Sequence, residues 1–214
     1  MNSKVIVVAQ QKGGVGKSTI SINLAVNFFQ LGLKTLIVDI DPQGSVSRWF
    51  ERRQEIMGDR LTGVKLIASS AWKLASEITS YKFKFDIIII DSPPHTESDI
   101  KQVLKCSDLV IIPLQPNSFD LWAVDKIVDI CDYERVNYLM VLNRVSPTKK
   151  GLESIYQKYG KNLSKNILGN RVAFNSAIIQ GKGISEFDPK SQAYEELKFI
   201  SDEVLKKLKV NYQM

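Results

Sequence analysis

Apolar residues in this chain gather in short, dense runs separated by longer amphipathic stretches. The runs are Val5–Ala9, Thr35–Asp39, Val64–Ala68, Phe85–Asp91, Leu109–Pro113 and Tyr138–Asn143. They show little polar alternation, as expected of strands covered on both faces. A weaker run, Asn166–Val172, predicts one more strand. Helical spacing lies between the runs. Ser18–Leu31 places Ile22, Leu24, Ala25, Phe28 and Phe29 at three- and four-residue steps and stops at Gly32. Asn117–Cys131 repeats the spacing with Leu121, Val124, Ile127 and Val128, with Asn117 or Ser118 as cap and Asp120 in the first turn. A last helix over Ser191–Leu208 carries Leu197, Ile200, Val204, Leu205 and Leu208 on one face. Such alternation predicts an α/β fold in three layers: a mostly parallel, twisted sheet with helices on both faces. One domain over residues 1–214 is expected.

The first run leads straight into Gln10-Gln11-Lys12-Gly13-Gly14-Val15-Gly16-Lys17-Ser18-Thr19, and a helix follows. Strand, glycine-rich loop and helix in this order form a phosphate loop. Glycines let the backbone turn its N–H groups inward, and the helix N-terminus adds positive potential. Lys17 is expected to bridge the β- and γ-phosphates of ATP, and the Ser18 hydroxyl to ligate Mg²⁺. The general pattern wants glycine where Gln11 stands. What stands instead is K-G-G-x-G-K-[ST], a deviant Walker A motif with a second lysine, Lys12. That lysine is placed to reach a phosphate bound by a second subunit, which predicts a dimer with ATP sandwiched between the two copies.

Two acidic signals end later strands, at the sheet edge where open α/β folds bind ligands. In Asp39-Ile40-Asp41-Pro42-Gln43-Gly44, two carboxylates lie two residues apart and would share one side of an extended chain. One is expected near the metal, the other on the attacking water. In Ile87-Ile88-Ile89-Ile90-Asp91-Ser92-Pro93-Pro94, an aspartate follows four isoleucines. This is the Walker B arrangement, with Asp91 holding Mg²⁺ directly or through water.

Composition adds two exclusions. Cys106 and Cys131 are far apart, which disfavours a disulfide framework, a zinc site or a bridging iron–sulfur centre. No apolar stretch reads as an export signal or a membrane span, so a cytoplasmic location is expected. The net charge is +6, and residues 144–214 hold 13 Lys/Arg against 7 Asp/Glu, which leaves residues 1–143 balanced at 16 of each sign. The excess in the last third fits an anionic partner or an ordinary solvated surface.

Together these segments resemble the ParA family of deviant Walker A partition ATPases. The resemblance rests on Lys12–Thr19, on Asp39–Gly44 with Trp49 after it, and on Asp91-Ser92-Pro93-Pro94. It extends through Pro113–Ala123, Leu142-Asn143-Arg144-Val145, Arg171–Phe174, Gly181–Ile184 and the helix containing Ala193-Tyr194-Glu195-Glu196. It implies a P-loop NTPase fold, an ATP-dependent homodimer, slow hydrolysis stimulated by a centromere-binding, ParB-like partner, and non-specific DNA binding on the nucleoid. By position, Asp41 corresponds to the water-orienting aspartate and Lys12 to the signature lysine. Lys12, Lys17 and Asp41 are the catalytic candidates. The nucleotide candidates are Lys12, Gly13, Gly14, Val15, Gly16, Lys17, Ser18, Thr19, Asp41, Pro93 and Asn143, the last at the strand end where relatives contact the base. Ser18 and Asp91 are the metal candidates. Pro116 and Asp120 are expected to shape the dimer face. Larger relatives carry an N-terminal helix-turn-helix; the chain resembles the short-form type without it.

The same motifs serve other tasks. A ParA-like ATPase can position conjugation machinery, receptor arrays or other intracellular bodies. A MinD-like division regulator would use an amphipathic membrane tail, for which Leu205–Tyr212 gives a hint, although core packing explains its apolar positions first and no membrane contact is expected. Lys149, Lys150, Lys158, Lys161, Lys165, Arg171, Lys182, Lys206 and Lys207 are the candidates for DNA phosphates. His95 reads as an ordinary loop residue, and Trp49 and Trp122 as packing or dimer-contact residues.

Overall fold

The computed structural model describes residues 3–58, 62–94, 97–116, 118–146, 148 and 152–211; at 97–99 and 118–122 the backbone alone is described. His95, Asn117, Lys149, Lys150 and Tyr212 lie outside the described residues, as do the side chains of Asp120, Leu121 and Trp122. The strands are β1 (Lys4–Val8), β2 (Thr35–Asp39), β3 (Lys65–Ala68), β4 (Ile87–Asp91), β5 (Leu109–Leu114), β6 (Tyr138–Val145) and β7 (Leu163–Gly169). The helices are α1 (Lys17–Gln30), α2 (Ser45–Met57), α3 (Ala71–Lys82), α4 (Glu97–Leu104), α5 (Ser118–Tyr133), α6 (Leu152–Tyr159), α7 (Val172–Ile179), α8 (Ile184–Phe187) and α9 (Gln192–Leu208).

The strands form one sheet in the order β3-β2-β4-β1-β5-β6-β7, and every pairing is parallel. Parallel strands need crossover segments, which cover both sheet faces, and that is why the strand sequences lack polar alternation. In β4, Ile87 and Ile89 pack with Ile6, Val8 and the apolar sides of α1 and α9. Ile88 and Ile90 point the other way, to Val5, Val7 and residues of α3, α4 and α5. Four isoleucines in a row are thus two per core.

α1 is buried over most of its length, polar residues included. Two of them, Asn23 and Asn27, spend their amides on neighbours: Asn27 Nδ2 donates to Ser201 Oγ of α9 at 2.9 Å. α9 begins where expected, with the Ser191 hydroxyl accepting from the Tyr194 N–H at 3.2 Å. Leu197, Ile200, Val204, Leu205 and Leu208 are all buried in the α1-side core, so the apolar positions of the tail helix are used within the fold. Among the described residues no helix is long and apolar enough to cross a membrane.

One predicted strand moves. The run Asn166–Val172 overlaps β7 only in part, since β7 spans Leu163–Gly169. Arg171 has an extended backbone (φ −109°, ψ 124°) but serves as the cap residue of α7, and Val172 is already helical. β7 is an edge strand whose register against β6 shifts twice, which blurs its apolar pattern.

Candidate active site

β1 lies between β4 and β5, so the loop after it opens at the C-terminal edge between strands from the two halves of the sheet. The loop is held from several sides. Ala9 N–H donates to the Ile111 carbonyl at 3.0 Å, and Gln115 Nε2 donates to the Gly14 carbonyl at 3.3 Å. Asn143, buried at the end of the β6 core, donates Nδ2 to the Val15 carbonyl at 2.7 Å and accepts from the Arg144 N–H at 2.9 Å. Gly16 has φ 97°, and a Cβ there would lie 2.3 Å from Asn143 Nδ2. Handedness and space both demand glycine at this point.

Lys17 opens α1 and is buried; its ammonium donates to the Lys12 carbonyl at 3.3 Å. Burial lowers its pKa, with the charges of Asp91 and Asp41 acting in the opposite sense. The Ser18 hydroxyl donates to Asp91 Oδ2 at 2.8 Å. The Ser21 hydroxyl donates to Asp91 Oδ1 at 2.7 Å and lies 3.1 Å from the Lys17 carbonyl. Asp91 is fully buried, and its carboxyl is pushed up to about 7, first by burial and further by Asp39, against the pull of Ser21, Ser18 and Lys17. Asp39 stands directly opposite it in the β2–β4 ladder. Two buried carboxylates side by side favour a cation between them and the solvent.

Mg²⁺ fits this donor set. Ser18 and Asp91 place a hydroxyl and a carboxylate oxygen 2.8 Å apart, the hard oxygen donors that Mg²⁺ takes. Among the described residues no group of three or more His, Cys, Asp or Glu side chains could hold a metal unaided. The remaining ligands would therefore be phosphate oxygens and water.

The pair Asp39 and Asp41 does not lie along one extended strand. β2 ends at Asp39, and the chain turns. Asp39 Oδ1 accepts from the Asp41 N–H at 3.1 Å, while Oδ2 accepts from the Ser47 N–H at 2.9 Å and the Ser47 hydroxyl at 2.7 Å. Asp39 thus anchors the first turn of α2. Asp41 sits in a tight turn, accepting from the Gln43 N–H at 2.9 Å, and faces the phosphate loop. A cleft of about 420 Å³ is lined by Gly13, Gly14, Gly16, Lys17, Ser18, Thr19 and Asp41, with Arg144, Asn175 and Ile178 among the residues completing it.

Most predicted site residues therefore converge. Val15 and Asn143 lie beneath the loop and outside the lining. Pro93 is buried and lines a separate, mainly apolar cavity of about 560 Å³ behind Asp41, while Pro94 lines the cleft. Lys12 is half-buried at the loop's entrance, off the cleft wall. Sequence reading missed Ser21, Arg144, Asn175 and Ile178. Ser21 was findable, being three residues after Ser18 on the same helix face. Asn175 and Ile178 come from α7, far along the chain, and carry no local signal. Arg144 has a left-handed backbone, φ 53°.

The sequence and the fold are similar to those of known nucleotide-binding proteins. The model of the CobQ/CobB/MinD/ParA nucleotide binding domain matches residues 6–184. A maintenance of carboxysome distribution protein A from Halothiobacillus neapolitanus is 24% identical over 211 residues, covering 94% of this chain and 95% of that protein. The chromosome partitioning protein ParA of Myxococcus xanthus is 25% identical, over 95% of this chain and 88% of that one. The septum site-determining protein MinD from Pyrococcus horikoshii, solved with Mg-ADP, superposes with a TM-score of 0.83 at 19% identity, covering 99% and 100% of the two chains.

Proposed function

The chain belongs to the CobQ/CobB/MinD/ParA nucleotide-binding family, and on that premise we propose that it is a single-domain ATPase whose ATP-bound homodimer binds DNA non-specifically and segregates a plasmid or chromosome. The observation that carries this reading is the meeting of Lys17, Ser18, Asp91 and Asp41 around one phosphate loop that also bears Lys12. Backbone N–H groups of Gly13–Lys17 cradle the phosphates. Lys17 leaves the Lys12 carbonyl for the β- and γ-phosphate oxygens. Ser18 and Asp91 would hold Mg²⁺, which would supply positive charge against the negative charge that develops on the phosphates. Asp41 orients the attacking water. Lys12 of each copy reaches the phosphates of the other, so ATP is completed only in the dimer. A centromere-binding, ParB-like protein would stimulate hydrolysis and release the DNA.

Asp41→Ala is the first test. Turnover should fall at least 10²-fold, as for loss of a group that acts in the transition state. ATP should stay bound, and light scattering should show a persistent dimer. Normal turnover by this variant would remove Asp41 from the mechanism. Lys12→Ala should retain nucleotide affinity within a few-fold, yet lose hydrolysis and ATP-dependent dimerisation. If it dimerises and turns over normally, the shared-site reading is wrong.

DNA binding draws on the basic last third of the chain. Lys158 is paired with Asp125 at 2.7 Å, and Arg171 with Glu196 at 2.7 Å. Lys161, Lys165, Lys206 and Lys207 are exposed. Binding to random duplex should need ATP and weaken steeply with salt, because phosphate contacts release counterions. A flat salt response would count against it. Cargo is the second open choice: one relative is named for carboxysome distribution, so another intracellular body remains a competing cargo. Co-purification of a small DNA-binding partner, rather than a body component, favours partition.

A further inference from the structure

α2 follows the Asp41 turn directly, yet it is thinly anchored: its buried residues are Val46, Trp49 and Arg53. One of those three anchors is a charged side chain, only 1% exposed. Arg53 makes four hydrogen bonds. Its Nη1 and Nη2 form a fork on Glu186 at 2.7 and 2.6 Å. Nη1 also donates to the Gly181 carbonyl at 2.9 Å, and Nε donates to the Thr62 carbonyl at 2.7 Å. The guanidinium stacks 5.4 Å from the Trp49 ring centre, and Trp49 Nε1 donates to the Lys182 carbonyl at 3.3 Å.

The segment that receives Arg53, residues 181–186, also grips α1. The Ile184 N–H donates to Asn23 Oδ1 at 2.7 Å, and Asn23 Nδ2 donates to the Thr19 carbonyl at 2.7 Å, in the first turn after the phosphate loop. Two glycines allow the backbone to lie against both helices. A Cβ on Gly181 would sit 2.7 Å from the backbone N and Cα of Arg53. A Cβ on Gly183 would sit 2.7 Å from Val26 Cβ of α1. Residues 181–184 are therefore a backbone-thick spacer between the helix that carries Lys17 and the helix that follows Asp41.

A buried ion pair adds little net stability compared with an apolar contact, since desolvation offsets the attraction. What a bidentate fork adds is direction and register. An apolar side chain would let α2 slide on its support, whereas Arg53 is fixed by acceptors on three sides. Asp39 holds the N-terminus of α2 through Ser47, and Arg53 holds the helix two turns on. The Asp41 turn thus runs from a strand end fixed in the sheet to a helix that is held at both Ser47 and Arg53.

We propose that Arg53 and Glu186 are positioning residues: through the 181–186 spacer they set the place of the Asp41 turn relative to the phosphate loop. The hydrolysis part of this proposal rests on the ATPase reading above; the conformational part does not. Two variants test it, Glu186→Gln and the apolar pair Arg53→Met with Glu186→Leu. Phosphate release, affinity for a fluorescent ATP analogue, thermal unfolding and amide exchange over residues 40–48 are measured for each. The expected result is a kcat at least 10-fold lower, with KM and analogue affinity within about 3-fold. Amides of residues 40–48 should exchange at least 10-fold faster, with those of β1 and the start of α1 unchanged. If the apolar pair does not fold, Glu186→Gln carries the same expectations. Unchanged exchange over 40–48 in a folded variant overturns the proposal, as does unchanged kcat. A parallel loss of unfolding temperature, affinity and exchange protection throughout the chain also overturns it, because the pair is then merely structural. A wild-type protein that does not hydrolyse ATP sinks the ATPase reading instead, and amide exchange still decides the positioning role.

Discussion

Lys17→Ala is expected to abolish productive ATP binding and to lower turnover by roughly 10²–10³-fold or more, the scale seen when a donor to developing charge is removed. The ammonium is buried at the start of α1, within reach of the charges of Asp91 and Asp41. Without nucleotide its donation to the Lys12 carbonyl, at 3.3 Å, is long and easily surrendered. Phosphate oxygens are much stronger acceptors, so binding should draw the side chain away from the loop backbone. Alanine removes the buried ammonium whose charge acts on both Asp91 and Asp41. Arginine should not rescue, because a planar fork cannot replace a point charge in a tight glycine loop. Phosphate-release assays and titration with a fluorescent ATP analogue check this. Wild-type turnover by the alanine variant would refute the assignment.

Asp91→Asn should separate stability from activity. The carboxyl is fully buried, with a pKa pushed up to about 7 from an unfolded value of 3.8. The folded state binds this proton more tightly than the unfolded chain does. The resulting stabilisation is complete below the unfolded value and is lost as pH rises through about 7. Asparagine is neutral at every pH and avoids that loss. Its side-chain oxygen can accept from Ser18, while the Ser21 hydroxyl keeps the Lys17 carbonyl as an alternative acceptor. Without nucleotide, the variant should gain on the wild type as pH rises from 3.8 to about 7, and hold a constant lead above that. The unfolding midpoint of the variant should lie above that of the wild type at pH 8. Mg²⁺ with ATP should stabilise the wild type strongly and the variant weakly, and turnover by the variant should collapse. Equal pH profiles for the two proteins would mean that Asp91 is an ordinary carboxylate.

The site was legible in part because its pieces are local. Lys12–Thr19 is a continuous loop whose glycines and lysines must stand at fixed offsets. Asp91 ends a strand whose apolar run is unmistakable. The relation between Asp39 and Asp41 was misread. Two-residue spacing places side chains together only while the chain stays extended, and β2 ends at Asp39. α2 left no clear period because an arginine occupies one of its three buried positions. Residues such as Arg53 look solvated in a sequence, and only Glu186, Gly181 and Thr62 reveal otherwise.

By itself the sequence determined six of the seven strands, the parallel three-layer architecture, the phosphate loop and the carboxylate that ends β4, because each depends on residues within one element and its neighbours in the chain. Tertiary structure alone decided what surrounds that loop. Asn143 lies under it, α7 supplies the far wall of the cleft, and the 181–186 segment spaces α1 from α2. Those contacts join residues more than a hundred positions apart. They follow from the order of strands in the sheet and from which helix covers which face, and neither is written in any local pattern.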